Sequence, residues 1–160
     1  MARLLVAAKD ARAEFGSLEE CFLAGFDRST DDVVPALSAF ASRLRSAGSA
    51  GRVFPLFPSP AKGGACKRPM LFLRWLVRSD EVDPGGWHRI PPSKLVVPLD
   101  THMAKIAAKL GFSSRKAADL KTALEATAGF AAFNPEDPVK YDFALTRFGI
   151  RDDMSMDQLV

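Results

Sequence analysis

Residues 96–112 read "VVPLDTHMAKIAAKLGF". An apolar run enters a single carboxylate, Asp100, and a helical pattern leaves it. Asp and Thr cap helices well, because a short side-chain oxygen accepts from first-turn N–H groups that have no intrahelical partner. With Asp100 or Thr101 as the cap, a helix over residues ~101–110 closes at Gly111. Met103, Ile106, Ala107 and Leu110 share one face of it, while His102, Lys105 and Lys109, at offsets 0, 3 and 7, share the other. The pattern predicts a helix that packs on one side and presents cations on the other. A cap explains the helix, but not why the aspartate follows the buried-looking "LVVPL".

Working outward, the rest of the chain also reads as helices joined by turns. Residues ~3–15 are amphipathic, and Ser17 then caps "LEECFLAGF" with Glu20 three residues on, a capping-box pattern. A further helix starts after Ser29 and Thr30 and runs through "DDVVPALSAFASRLRSAG", with Pro35 tolerated in its first turn. "SAGSAGRVFPLFPSPAKGGA" is loop by composition. "KRPMLFLRWLVR" predicts a helix with Pro69 near its start, apolar on nearly every side and so central and buried. After the turn-rich "SDEVDPGGWHRIPPSK", helices are expected at ~101–110, at ~114–130 from Ser113 or Ser114, and at ~138–148 from Asp137 before Pro138. No strand alternation of any length is present; "KLVVPLD" is at most a short extended piece that its proline suits poorly to a sheet. The fold class is therefore all-α.

Composition bounds the rest. At 160 residues, 48% hydrophobic and 26% charged, the chain has the balance of one globular domain over 1–160, with N-terminal helices over 1–47, a central region over 60–112 and C-terminal helices over 113–150. No apolar run approaches the ~18 residues of a membrane span, and Lys9 and Asp10 interrupt the N-terminus too early for a signal-peptide core. A cytoplasmic protein with no membrane partner is expected. Two distant cysteines, Cys21 and Cys66, exclude a four-cysteine zinc or iron–sulfur site within this chain and read as reduced thiols. No metal and no cofactor are expected.

The net charge of +3 is unevenly spread. Residues 1–35 hold seven acidic groups against four basic ones, whereas from 52 to 78 every charge is positive: Arg52, Lys62, Lys67, Arg68, Arg74 and Arg78. A one-signed stretch suits a polyanion such as a phosphate backbone, and equally a solvated surface. Within it, "AKGGACKRP" sets Gly63 and Gly64 among Lys62, Lys67 and Arg68, a turn that can seat a phosphate on outward N–H groups. Along the following helix Lys67, Arg74 and Arg78 lie at offsets 0, 7 and 11, within about 20° of one line. That stripe reads first as a solvated edge with snorkelling stems. It reads second as the setting of a nucleophilic lysine kept neutral by desolvation and cationic neighbours. Trp75, Trp87 and Phe133 read first as core and second as stacking platforms.

"VPLDTHMAKIAAKLGF" resembles the signature of the helix-hairpin-helix DNA glycosylase superfamily, the group of endonuclease III and the 8-oxoguanine DNA glycosylases, in which a hydrophobic-Asp-x-His segment opens a helix ending near Leu-Gly. "ACKRPMLFLRWLVR", "VDPGGW", "PLDTH" and "NPEDPVKYDFALTRFGI" are similar, more closely, to an uncharacterised bacterial family of unknown function. The closer likeness covers most of residues 15–150 and the superfamily likeness roughly 60–112.

The resemblance implies an all-α helix-hairpin-helix glycosylase-like domain. Because both families usually have further N-terminal helices, it also implies a shortened member or a piece of one. It matches Asp100 to the catalytic aspartate that stabilises an oxocarbenium-like sugar as the base departs. It matches Lys67 to the lysine that forms a Schiff base in bifunctional members, although Arg68 also aligns there and would leave Lys67 a phosphate contact. His102 matches a phosphate-contacting residue, and Lys62, Gly63, Gly64, Arg68, Arg74 and Lys105 complete the expected DNA-binding set. The implied partner is double-stranded DNA with a damaged base, an oxidised purine first, flipped into a pocket. The implied activity is base excision, with abasic-site lyase chemistry if Lys67 reacts; the alternative is a non-catalytic helix-hairpin-helix DNA-binding module. The hairpin departs from the usual Leu-Pro-Gly-Val-Gly type, and the step from Lys67 to Asp100 is longer than in endonuclease III but comparable with the archaeal 8-oxoguanine enzymes.

Overall fold

The structure is a computed structural model and describes residues 2–47 and 57–147. Among these residues there are seven α-helices and no sheet: α1 (Ala2–Phe15), α2 (Leu18–Leu23), α3 (Val34–Ala47), α4 (Lys67–Val77), α5 (Thr101–Lys109), α6 (Leu120–Ala131) and α7 (Asp142–Thr146). Short 3-10 turns stand at Pro60–Lys62 and Pro92–Lys94. The all-α expectation holds. The chain, read from its length as one domain, gathers into two compact units, Met1–Lys62 and Gly63–Val160.

In the first unit α1, α2 and α3 pack on one another. Ala7 and Ala11 of α1 are small enough to let the helices approach, and Phe22, Leu37 and Phe40 fill the space between them. Phe40 meets Phe22 and Phe57 edge to face, with ring centroids 5.8 Å apart in each pair. Ser17 caps α2 as its spacing predicts, accepting from the Glu20 N–H at 3.0 Å. Arg43 of α3 closes the other end of α2, donating to the carbonyls of Cys21 and Ala24 at 3.1 Å each and lying 5.8 Å over the Phe15 ring. One guanidinium thereby ties all three helices, satisfying carbonyls that α2 leaves unpaired.

In the second unit α4 and α5 supply the central apolar side chains, Met70, Leu73, Met103 and Ile106, all essentially inaccessible to solvent. The "LVVPL" segment runs extended and buried between the Pro92–Lys94 turn and α5, as a single strand-like piece that pairs with no neighbour in a sheet. Its Val97 N–H donates instead to Thr127 Oγ1 of α6 at 3.0 Å. Helix α5 ends where Gly111 takes φ 74°, with Gly111 N–H bonded to Ala108 O and Phe112 N–H to Ala107 O, a Schellman ending. That ending aims Phe112 at Gly129 of α6, where an added Cβ would stand 2.3 Å from the Phe112 ring.

Three expectations need correction. Helix α6 begins at Leu120, not at Ser113 or Ser114, because Ser113 Oγ turns the chain by accepting from Arg115 N–H at 3.2 Å and bonding Glu125 at 2.5 Å. Its cap is Asp119, which accepts from Thr122 N–H at 3.0 Å. Helix α7 covers only Asp142–Thr146 of the described residues, because Asp137, expected as its cap, turns its carboxylate to Arg78 instead. Helix α4 is not buried all round: Trp75 is 47% exposed and Arg68 is also exposed, whereas Arg74 and the C-cap Arg78 are buried.

Candidate active site

Two helix starts converge. Asp100 is the cap of α5, with extended backbone at φ −122° and ψ −171°, and its Oδ1 accepts from Met103 N–H at 2.8 Å. That leaves Oδ2 for a second partner, and Lys67 Nζ, from the first residue of α4, donates to it at 2.5 Å across 33 positions of sequence. Lys67 is aimed by an unusual entry: Cys66 holds the left-handed conformation at φ 49°, which turns the chain sharply before α4 starts. Burial pushes the Cys66 thiol up, so it is an inert neighbour and not a thiolate.

The pair is half open. Its side chains are 42% exposed for Lys67 and 26% for Asp100. Burial disfavours the Asp100 carboxylate, but the hydrogen bond and charge of Lys67 together with the N–H groups of Met103 and His102 outweigh it and hold the carboxyl below its ordinary range. Asp100 is thus a fixed negative charge facing a reachable amine.

Farther along the same face of α4 the situation reverses. Arg74 is 2% exposed; its Nη1 donates to Asp142 at 2.5 Å and its Nε to Asp83 at 3.1 Å. Arg74 Nη2 also lies 3.1 Å from Asp83 Oδ2, a charge contact outside hydrogen-bond geometry. Arg78 is equally enclosed and pairs with Asp83, with Asp80 at 2.6 Å and with Asp137 at 2.9 Å. Burial pushes the Asp142 carboxyl up against the lowering charge and hydrogen bond of Arg74, and Asp142 also feels Lys67, which lowers it, and Asp100, which raises it.

The cationic stripe therefore exists at its expected angles, and aspartates meet it along its whole length. The expectation that Arg74 binds DNA directly is corrected: its guanidinium is committed inside the second unit. Lys62, Gly63, Gly64, Arg68, His102 and Lys105 are all exposed. Gly63 takes φ 78° and its carbonyl accepts Leu120 N–H at 2.9 Å, so the glycine turn is pinned to the start of α6. Of the three aromatic candidates, Trp87 is core, whereas Trp75 and Phe133, the latter 72% exposed, are not.

The sequence reading missed Asp83, Asp137 and Asp142. A usable signal was present: cations on a helix that is otherwise apolar need counter-charges when that face turns inward, and "SDEVD" follows Arg78 directly.

Fold and site together define an all-α protein with a lysine–aspartate pair set between two helix starts. The chain belongs to the family described as "Protein of unknown function (DUF2400)", which matches residues 1–151. No curated protein and no solved structure matches it.

Proposed function

We propose that this protein is a DNA-repair N-glycosylase with abasic-site lyase chemistry, acting on a damaged base in duplex DNA, with an oxidised purine as the first substrate class to test. The observation that carries this reading is the 2.5 Å approach of Lys67 Nζ to Asp100 Oδ2 in a half-open position. The two residues that the superfamily resemblance singles out, 33 positions apart, meet at one point.

The chemistry follows from the two groups. As the glycosidic bond breaks, the base leaves with the bonding electron pair and takes up a proton, and positive charge grows on the sugar C1′. A carboxylate held ionised beside that carbon lowers the energy of the charge. Lys67 Nζ sheds one proton, which balances the one the base takes up, and its lone pair forms the new bond to C1′. The sugar ring then opens: the C1′–O4′ bond breaks, O4′ takes a proton from the nitrogen, and a C=N link forms. Exposed Arg68, His102 and Lys105 would hold phosphates of the same strand.

Borohydride trapping on a duplex with one abasic site tests this, since hydride reduces the C=N link to a stable amine. Wild type should form a covalent adduct that Lys67→Ala lacks. Asp100→Asn should lose base release from a lesion-bearing duplex while its DNA affinity stays within about threefold. If wild type binds DNA yet neither forms an adduct nor releases any base, the non-catalytic binding module replaces this reading.

A further inference from the structure

Beside the lysine–aspartate pair, on the outer face of α5, the second unit has an open cleft of about 420 Å³. Its walls are α5, through Thr101 and Lys105, and the turn before α6, through Ser114, Arg115 and Lys116. Ala104, Ala108 and Ala118 complete its lining, which contains neither a carboxylate nor an aromatic ring. We infer that this cleft is an anion site that seats the sugar-phosphate backbone of the DNA strand engaged at Asp100, an assignment that rests on the proposed function.

Three features of the cleft specify the ligand. Lys105 and Lys116 are exposed and have no ion-pair or hydrogen-bond partner among the described residues, so their charge is available to a ligand. Arg115 is posed: Asp119 holds its Nη2 at 2.6 Å and Thr122 its Nε at 3.1 Å. Asp119, its pKa lowered to about 2 by the Thr122 N–H and the Arg115 hydrogen bond, keeps that clamp ionised. Small methyl walls admit a backbone closely but offer no ring for a base to stack on, which favours sugar-phosphate over base. The volume falls within the ~300–1,000 Å³ of ligand sites, more than a lone ion fills.

Position supplies the link to the site. Thr101 follows Asp100 directly, and Lys105 stands about 7.5 Å farther along the α5 axis at 1.5 Å per residue. A strand with one sugar at Asp100 therefore continues into the cleft with its next phosphates. None of this was legible as a motif, because Arg115 and Lys116 lie in a stretch whose pattern predicts the first turn of a helix.

The test is fluorescence anisotropy of a labelled abasic-site duplex with the full chain across a salt series, comparing K105Q/K116Q with the charge-matched pair K9Q/K140Q. All four side chains are exposed, so melting temperature and circular dichroism should not change. K105Q/K116Q should weaken binding tenfold or more at low salt and flatten the log–log salt slope by about 1–2, at ~0.9 for each phosphate no longer neutralised; K9Q/K140Q should do neither. Unchanged binding by K105Q/K116Q, or an equal loss in K9Q/K140Q, overturns the cleft. Borohydride trapping separates the two claims. An adduct alongside unchanged K105Q/K116Q affinity keeps the lysine chemistry and removes the cleft, whereas a selective affinity loss with no wild-type adduct keeps the cleft and removes the lyase. A wild-type chain that does not bind DNA overturns both.

Discussion

The two ends of one helix face make the informative comparison. Lys67 and Arg78 lie on the same line along α4, and each meets aspartate, yet Lys67 has one partner and open access while Arg78 has three and almost none. A charge pair left partly in water contributes little to stability because solvent screens it and the side chains keep their mobility. The other end behaves differently: Arg74, Arg78, Asp83 and Asp142 have lost their hydration, so removing Asp83 strands the guanidiniums it serves. One face thus has a structural end and a chemical end, and burial decides which is which.

The strongest way to break the comparison is at the sealed end. Asp83→Ala leaves both Arg74 and Arg78 short of a counter-ion and should cost about 3–5 kcal/mol in urea unfolding, the range for breaking a buried pair. A cost under 1 kcal/mol would mean that the cluster is solvated and that the two ends do not differ. Gly129→Ala, with Phe112 in the way of the new methyl, should cost about 1–3 kcal/mol by overpacking. It serves as a control: a destabilised chain that still forms adduct below its melting temperature shows that loss of the adduct in Lys67→Ala is chemical. Lys67→Ala itself should change unfolding stability by less than about 1 kcal/mol, the range for partly exposed pairs, while removing the adduct completely. A larger stability loss would reassign Lys67 to the framework.

Acid sharpens the comparison with the smallest effect. The fold lowers the Asp100 pKa relative to the unfolded chain, so ionised Asp100 stabilises the native state fully above the unfolded value near 4. That contribution disappears as pH falls through the lower folded value. Unfolding free energy measured between pH 5 and 2 should fall less in Asp100→Asn than in wild type. Asp119, lowered to about 2, contributes in the same direction and should account for part of the decline that remains in that variant.

Legibility followed the range of the interaction. The Ser17 and Asp100 caps each bond an N–H three residues on, so a short window contains the whole interaction. The start of α6 was misplaced because Ser113 looked like the same kind of cap, and only its bond to Glu125, on the next helix, shows that it serves a turn. Trp75 and Trp87 are indistinguishable by residue type, yet one faces out and the other packs edge to face on Phe72 at 5.7 Å.

The amino-acid sequence by itself determined the helical class, most helix positions, and the line of cations on α4, because periodicity and capping act within a turn or two of chain. It also placed Lys67 and Asp100 under suspicion through a resemblance. Only the tertiary structure decided that the arginine stripe faces inward, that Asp83, Asp137 and Asp142 neutralise it, and that Lys67 Nζ touches Asp100. Those contacts join residues as many as 68 positions apart, and which charges meet at that range is set by how the helices pack.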